Sequence, residues 1–139
     1  MKVIATKYPD FFSLANDVSP EPEEVLRCAL GLRRVEGFAY IQLLKLRSAD
    51  VSSLSKAIGR SRPTTQRICM DLVAKGLATR RAVPMRTGGY GYVYLPVEPS
   101  KVAQKVGRML HELSARMVNS ITRLEKGSRA TSDQSTLSP

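Results

Sequence analysis

Histidine and cysteine are scarce in this sequence: one His and two Cys in 139 residues. His111, Cys28 and Cys69 show no recognised metal-ligand spacing, so neither a metal nor another cofactor is expected. Two scattered cysteines in a chain of this size read as small buried hydrophobes rather than a disulfide. No nucleophile stands near a base and no carboxylate pair forms an acid–base site, so an enzyme is not expected. Long apolar runs are missing as well. None approaches the roughly 20 residues of a membrane span. Lys7, Asp10 and Asp17 interrupt the N-terminus where a signal peptide needs an apolar stretch. A cytoplasmic protein with no membrane partner is expected.

Acidic residues are the third scarcity. Twelve Asp and Glu stand against 22 Lys and Arg, giving a formal charge of +10. Such an excess favours polyanionic partners. It is also concentrated. From Lys56 to Arg86 there are eight basic residues (Lys56, Arg60, Arg62, Arg67, Lys75, Arg80, Arg81 and Arg86) and one acid, Asp71, which is +7 of the total. A solvated helical hairpin ordinarily mixes both signs. One sign over one short stretch is the footprint of nucleic-acid contact.

That stretch also has a recognisable pattern. Val51, Leu54, Ala57 and Ile58 line one face of a short helix. Asp50 or Ser52 caps its start, and Gly59 permits the left-handed conformation that ends it. The chain restarts at Pro63, suited to the first helical position. The residue before a proline is pushed out of the α region, so Arg62 is the expected N-cap, with Ser61 as the competing choice. Thr65, Ile68, Cys69, Leu72 and Val73 face inward, whereas Thr64, Gln66, Arg67, Met70 and Asp71 face out. Lys75-Gly76-Leu77 closes the helix with a cation, a glycine and an apolar anchor. Two helices joined this way form a helix-turn-helix, whose second helix enters the DNA major groove.

After Leu77 the period changes. Residues 78–83 and 90–97 read as two strands, the second rich in tyrosine and β-branched residues. Pro84-Met85-Arg86-Thr87-Gly88-Gly89 joins them as a loop whose glycines permit positive φ. No helix follows these glycines at Walker or Rossmann spacing, so they are not a nucleotide loop. A hairpin directly after a recognition helix is the wing of a winged helix.

The flanking segments are helical. Residues 1–32 carry charge −2 and form an N-terminal helical extension. Asp10 to Ala15 reads as one short helix. A second starts at Ser19-Pro20-Glu21-Pro22 and ends at Gly31, with Val25, Leu26, Ala29 and Leu30 as its buried stripe. Residues 33–46 are apolar almost all round, which predicts a helix buried on most sides. A long helix begins at Glu98-Pro99-Ser100 and stops at Gly127, with Val102, Val106, Met109, Leu110, Leu113, Met117, Ile121 and Leu124 at helical spacing. At 1.5 Å per residue it is roughly 40 Å long. That is long for one face of a small domain to cover, so packing against a second copy is favoured. Folding back on residues 8–30 is the alternative. Residues 128–139 read as a flexible tail.

The expected fold is therefore mainly α with a small β-hairpin. It comprises an N-terminal extension (1–32), a winged helix-turn-helix (33–98), a dimerisation helix (99–127) and a tail (128–139). The stretches AYIQLLKL (39–46), LSKAIGRSRPTTQRICMDLVAKGLATR (54–80) and YGYVYLPVEPSKV (90–102) resemble archaeal and bacterial winged-helix transcription regulators of the TrmB and MarR groups. The resemblance covers about half the chain. It implies a homodimeric DNA-binding repressor or activator, with the recognition helix in the major groove and the wing alongside. Full-length TrmB proteins continue into a C-terminal sugar-binding domain, and an effector of that kind is not expected here. MarR-like dimers often bind small phenolics, but no residues here specify such a pocket. A small-molecule effector is left open and not indicated.

Within this reading, Arg62, Thr64, Gln66, Arg67 and Met70 are the base-contact candidates. Arginine suits guanine O6 and N7, glutamine suits adenine N6 and N7, and threonine meets a thymine methyl. Lys56, Arg60, Ser61, Arg80, Arg81, Arg86 and Thr87 are candidates for the DNA backbone and the wing. Two alternatives remain: a winged-helix protein-interaction module of a transcription or RNA-processing complex, and a non-specific nucleoid protein.

Overall fold

The computed structural model describes residues 11–137, and side chains over residues 11–127. In chain order these form α1 (Phe11–Ala15), α2 (Pro22–Leu30), α3 (Arg34–Leu46), α4 (Val51–Ile58), α5 (Arg62–Ala74), β1 (Ala78–Pro84), β2 (Tyr90–Pro96) and α6 (Pro99–Leu137). The chain divides into two units, Met1–Val102 and Ala103–Pro139.

In the first unit, α3, α4 and α5 surround a core of Tyr40, Leu43, Leu54, Ile58, Ile68, Leu72 and Leu77. Helical spacing puts the first six on the inner sides of α3, α4 and α5, and Leu77 follows the end of α5. The α5 face is the expected one, with Thr65, Ile68, Cys69 and Leu72 all buried. Burial pushes the Cys69 thiol up to about 11. The thiolate is the reactive form, so Cys69 behaves as a core hydrophobe.

The antiparallel hairpin β1–β2 runs in register from Ala78↔Pro96 to Pro84↔Tyr90. Its turn uses positive φ at Gly88 (96°) and Gly89 (71°). An isolated bridge, Ala49↔Tyr94, ties β2 to the segment before α4. The Tyr40 hydroxyl donates to the Val97 carbonyl at 2.6 Å, fastening the end of the hairpin to α3.

Four expectations for the first unit need correction. The N-cap of α5 is Ser61, not Arg62. Its oxygen accepts the Thr64 N–H at 3.3 Å, and arginine has no acceptor to offer. The N-cap of α2 is Glu21, without a side-chain cap bond; Ser19 instead donates its N–H to Asp17 Oδ1. The stripe expected on α2 is half-buried, with no residue of that helix fully enclosed. Helix α3 is buried along one side only: Glu36, Gly37, Ala39, Tyr40 and Leu43, while Phe38 and Leu46 remain exposed.

In the second unit, the helix does not stop at Gly127. It runs on to Leu137. Glycine lowers helix propensity by about 1 kcal/mol, which one helical interior tolerates. The tail expectation for residues 128–137 therefore gives way to helix, and residues 138–139 lie outside the described residues. So does Asp10, the expected first residue of α1.

Candidate nucleic-acid interface

Two caps aim the helix-turn-helix. Asp50 accepts the Ser53 N–H at 2.7 Å and starts α4. The Ser53 N–H is the main reason its carboxyl lies below the usual range, with the positive charge of Arg62 assisting against burial. Gly59 then turns the chain at φ 69°, and Ser61 starts α5. The Ser61 hydroxyl donates to Thr64 Oγ1 at 3.0 Å, so both side chains are engaged in the cap.

A network of ions fixes the far side of α5 to α3. Lys75 Nζ reaches buried Glu36 at 3.0 Å and the Gly31 carbonyl at 3.3 Å. Arg33 bridges Glu36 and Asp71, each at 3.1 Å. Burial alone would raise the Glu36 carboxyl. The Arg33 N–H, Lys75, the Arg33 guanidinium and Asp71 together hold it at about 2, below its ordinary 4.5. Two members of the charged stretch, Lys75 and Asp71, are thus occupied inside the fold. The other seven cations, Lys56, Arg60, Arg62, Arg67, Arg80, Arg81 and Arg86, are all exposed.

Of the base-contact candidates, Arg62, Gln66, Arg67 and Met70 are exposed on α5, whereas Thr64 is half-buried. Gln66 and Met70 also turn toward the wing. Gln66 Nε2 donates to the Tyr94 hydroxyl at 3.3 Å, and that hydroxyl lies 3.8 Å from Met70 Sδ, to which it donates. Arg80 Nη1 approaches the same sulfur at 3.7 Å and its guanidinium lies 4.2 Å from the centre of the Tyr92 ring. Arg81 points to the opposite face of the hairpin, because alternate strand residues do. Arg86 and Thr87 are exposed in the wing loop, and Lys56 and Arg60 on α4 and the turn after it. A cavity of about 230 Å³ opens between the start of α4, the start of α5 and the hairpin, lined by Asp50, Arg62, Gln66 and Tyr92 among others.

Tyr92 and Tyr94 are absent from the candidates chosen from sequence. The alternation Tyr90, Tyr92, Tyr94 was the available signal, since it puts all three on one face of the strand.

Residues 26–100 match the family described as sugar-specific transcriptional regulator TrmB. The chain belongs to the TrmB family. Two proteins of Methanocaldococcus jannaschii are each 31% identical to it. The uncharacterized protein MJ1082 aligns over 65% of this chain and 74% of its own length. The uncharacterized protein MJ1503 aligns over 57% and 61%.

Among solved structures, a possible transcriptional regulator from Methanosarcina mazei Go1 superposes with TM-score 0.65 at 22% identity. It covers 73% of this chain and 86% of its own. TrmBL2, described as an archaeal chromatin protein, gives TM-score 0.66 at 20% identity over 84% of this chain; the match spans 43% of TrmBL2. At these identities the two structures establish the fold. The protein is a winged-helix, DNA-binding transcriptional regulator of the TrmB type. Among the described residues, no helix is long and apolar enough to cross a membrane.

Proposed function

We propose that this TrmB-family protein is a sequence-specific transcriptional regulator acting as a homodimer. Helix α5 lies in the major groove, and the wing over residues 83–91 lies on the backbone or in the minor groove. The observation that carries this reading is the outer face of α5. Arg62, Gln66, Arg67 and Met70 share it, and only two of the four are cations. Phosphate binding needs charge alone. An amide beside guanidinium groups can read adenine and guanine edges. Lys56, Arg60, Arg80 and Arg86, with Arg81 on the other face of the hairpin, are exposed on α4, the turn after it and the wing, and they supply the contacts that set register on the duplex.

The homodimer rests on α6. Val106 and Leu113 are half-buried, and Met109, Leu110, Met117, Ile121 and Leu124 are exposed. Val102 leaves the interface set, because it is 4% exposed in the core of the first unit. A two-fold dimer reads a palindromic site with half-sites one helical turn apart, or a multiple of that.

The test is binding to a labelled fragment of the protein's own promoter against excess random duplex, at two salt concentrations. Retained binding over the competitor is the expected result. Binding abolished alike by competitor and salt would sink sequence-specific control of that promoter and fit a chromatin protein, as TrmBL2 is described. Capture of a heterologous protein partner with no DNA binding would fit an interaction module instead.

A further inference from the structure

We propose that Tyr94, through its hydroxyl, sets which way the Gln66 amide faces the DNA and is therefore a specificity-positioning residue of the reading helix. This rests on the base-reading role given to Gln66 above.

A glutamine amide carries an acceptor oxygen and a donor NH₂ of nearly the same shape. Presented one way round, it offers one acceptor and one donor, which matches adenine N6 and N7. With the NH₂ turned fully outward, it offers donors only, and the acceptors O6 and N7 of guanine fit as well. Something must choose between these poses. The Tyr94 hydroxyl has one hydrogen, and Met70 Sδ at 3.8 Å receives it. The oxygen is thereby left as an acceptor, and Gln66 Nε2 donates to it at 3.3 Å. One Nε2 hydrogen is held by tyrosine. The other, together with Oε1, remains for a base.

The hydroxyl is itself held in place. The Tyr94 ring is among the largest fully buried side chains, with 1% exposure. Its backbone is clamped to Ala49 by a pair of bonds: Ala49 N–H donates to the Tyr94 carbonyl at 3.0 Å, and Tyr94 N–H to the Ala49 carbonyl at 2.8 Å. Met70 is steadied by a second donor, Arg80 Nη1 at 3.7 Å. A fixed hydroxyl thus links a rigid strand to an otherwise rotatable amide on the neighbouring helix. Preorganisation of this kind confers geometric specificity on a contact side chain.

The experiment is selection from a randomised duplex pool, followed by affinities for each base at the Gln66-dependent position. The full-length wild type, Gln66→Ala, Tyr94→Phe and Met70→Leu are compared. Gln66→Ala is expected to lower adenine preference at one position by roughly 5- to 100-fold. Tyr94→Phe keeps the ring and removes the hydroxyl. It is expected to lower adenine-over-guanine preference at that same position by roughly 2- to 10-fold, the worth of one neutral hydrogen bond. Its salt slope stays at the wild-type value, because no phosphate contact is lost. Met70→Leu removes the sulfur acceptor, frees the tyrosine hydrogen to turn toward Gln66 Oε1, and relaxes the same position. A purely structural role for Tyr94 would weaken all duplexes equally. That result, or a Gln66→Ala effect unaccompanied by one from Tyr94→Phe or Met70→Leu, overturns the inference alone. A wild type that selects no sequence, or a Gln66→Ala profile equal to wild type, removes the base-reading premise and the inference with it.

Discussion

Among the described residues, Glu36 is the one charged side chain in the core. It accepts the Arg33 N–H at 2.9 Å, which is one half of a capping box at the start of α3. It also ties α3 to the last turn of α5 through Lys75. Removing one partner of a buried ion pair is costly, but Arg33 and Lys75 keep part of their solvent. Glu36→Gln should therefore lower stability by about 2 kcal/mol at neutral pH. The sign with pH follows from the depressed pKa of about 2 against 4.5. The contribution is complete above about 4.5 and is lost as pH falls toward 2. Urea titrations across that window should show the gap between wild type and Glu36→Gln closing with acid; a gap independent of pH would contradict the assignment. Thr65 is the opposite case. It is fully buried, and its Oγ1 has no hydrogen-bond partner among the described residues. Thr65→Val keeps the shape and removes the unpaired oxygen, so it should raise stability by roughly 1 kcal/mol. A lower urea midpoint would show that the hydroxyl is satisfied after all.

At the scale of elements, the proposed reading divides the work of binding between helix and wing. Arg67 is exposed in the middle of α5, between Pro63 and Met70 on the same face. Arg81 projects from β1 on the face opposite Arg80. Arg67→Ala should cost roughly 1–3 kcal/mol on the preferred site and relax one base position. Arg81→Ala should weaken all duplexes alike and reduce the salt slope by about one. Footprint-guided titrations on specific and random DNA separate the two, and identical behaviour of both variants would remove the division. These elements were legible in the sequence because their punctuation is local. Asp50, Gly59, Pro63, Gly76 and the Gly88-Gly89 pair each mark a boundary by backbone chemistry alone, and the inward face of α5 followed from periodicity. What stayed hidden depends on contacts distant in sequence. Glu36 drew no reading from the sequence, because its cations at Arg33 and Lys75 meet only in the fold. Gln66 and Met70 read as free base contacts, because the residue that holds them lies 28 and 24 positions away. The end of α3 at Leu46 is as expected, although Arg47 rather than a glycine takes the positive φ of 72° that follows it.

For the whole molecule, the register of α6 supports the proposed pairing with a second copy. Ala103, Val106, Leu110, Leu113, Met117, Ser120 and Leu124 alternate at spacings of three and four, the seam of a left-handed coiled coil. Met109 and Ile121 widen it. Ile121 is 65% exposed and Leu124 72%, an apolar load that a soluble helix seldom leaves to water. Helix α6 has 39 residues, or about 58 Å, several heptads of seam. A paired seam also sets the chemistry of reading. In the proposed dimer it would bring two α5 helices to one duplex, so that the second half-site would bind at high effective concentration. Leu110→Glu combined with Leu113→Glu puts like charges at adjacent seam positions. Light scattering should then report the mass of one chain where the wild type gives two. The melting of the first unit should not change, because both residues lie outside it. Affinity for a palindromic site should fall by roughly 100-fold or more, the loss of avidity, while affinity for a single half-site is retained. A wild type that is monomeric at micromolar concentration, or a double variant that still binds the palindrome as tightly, would mean that α6 serves another partner.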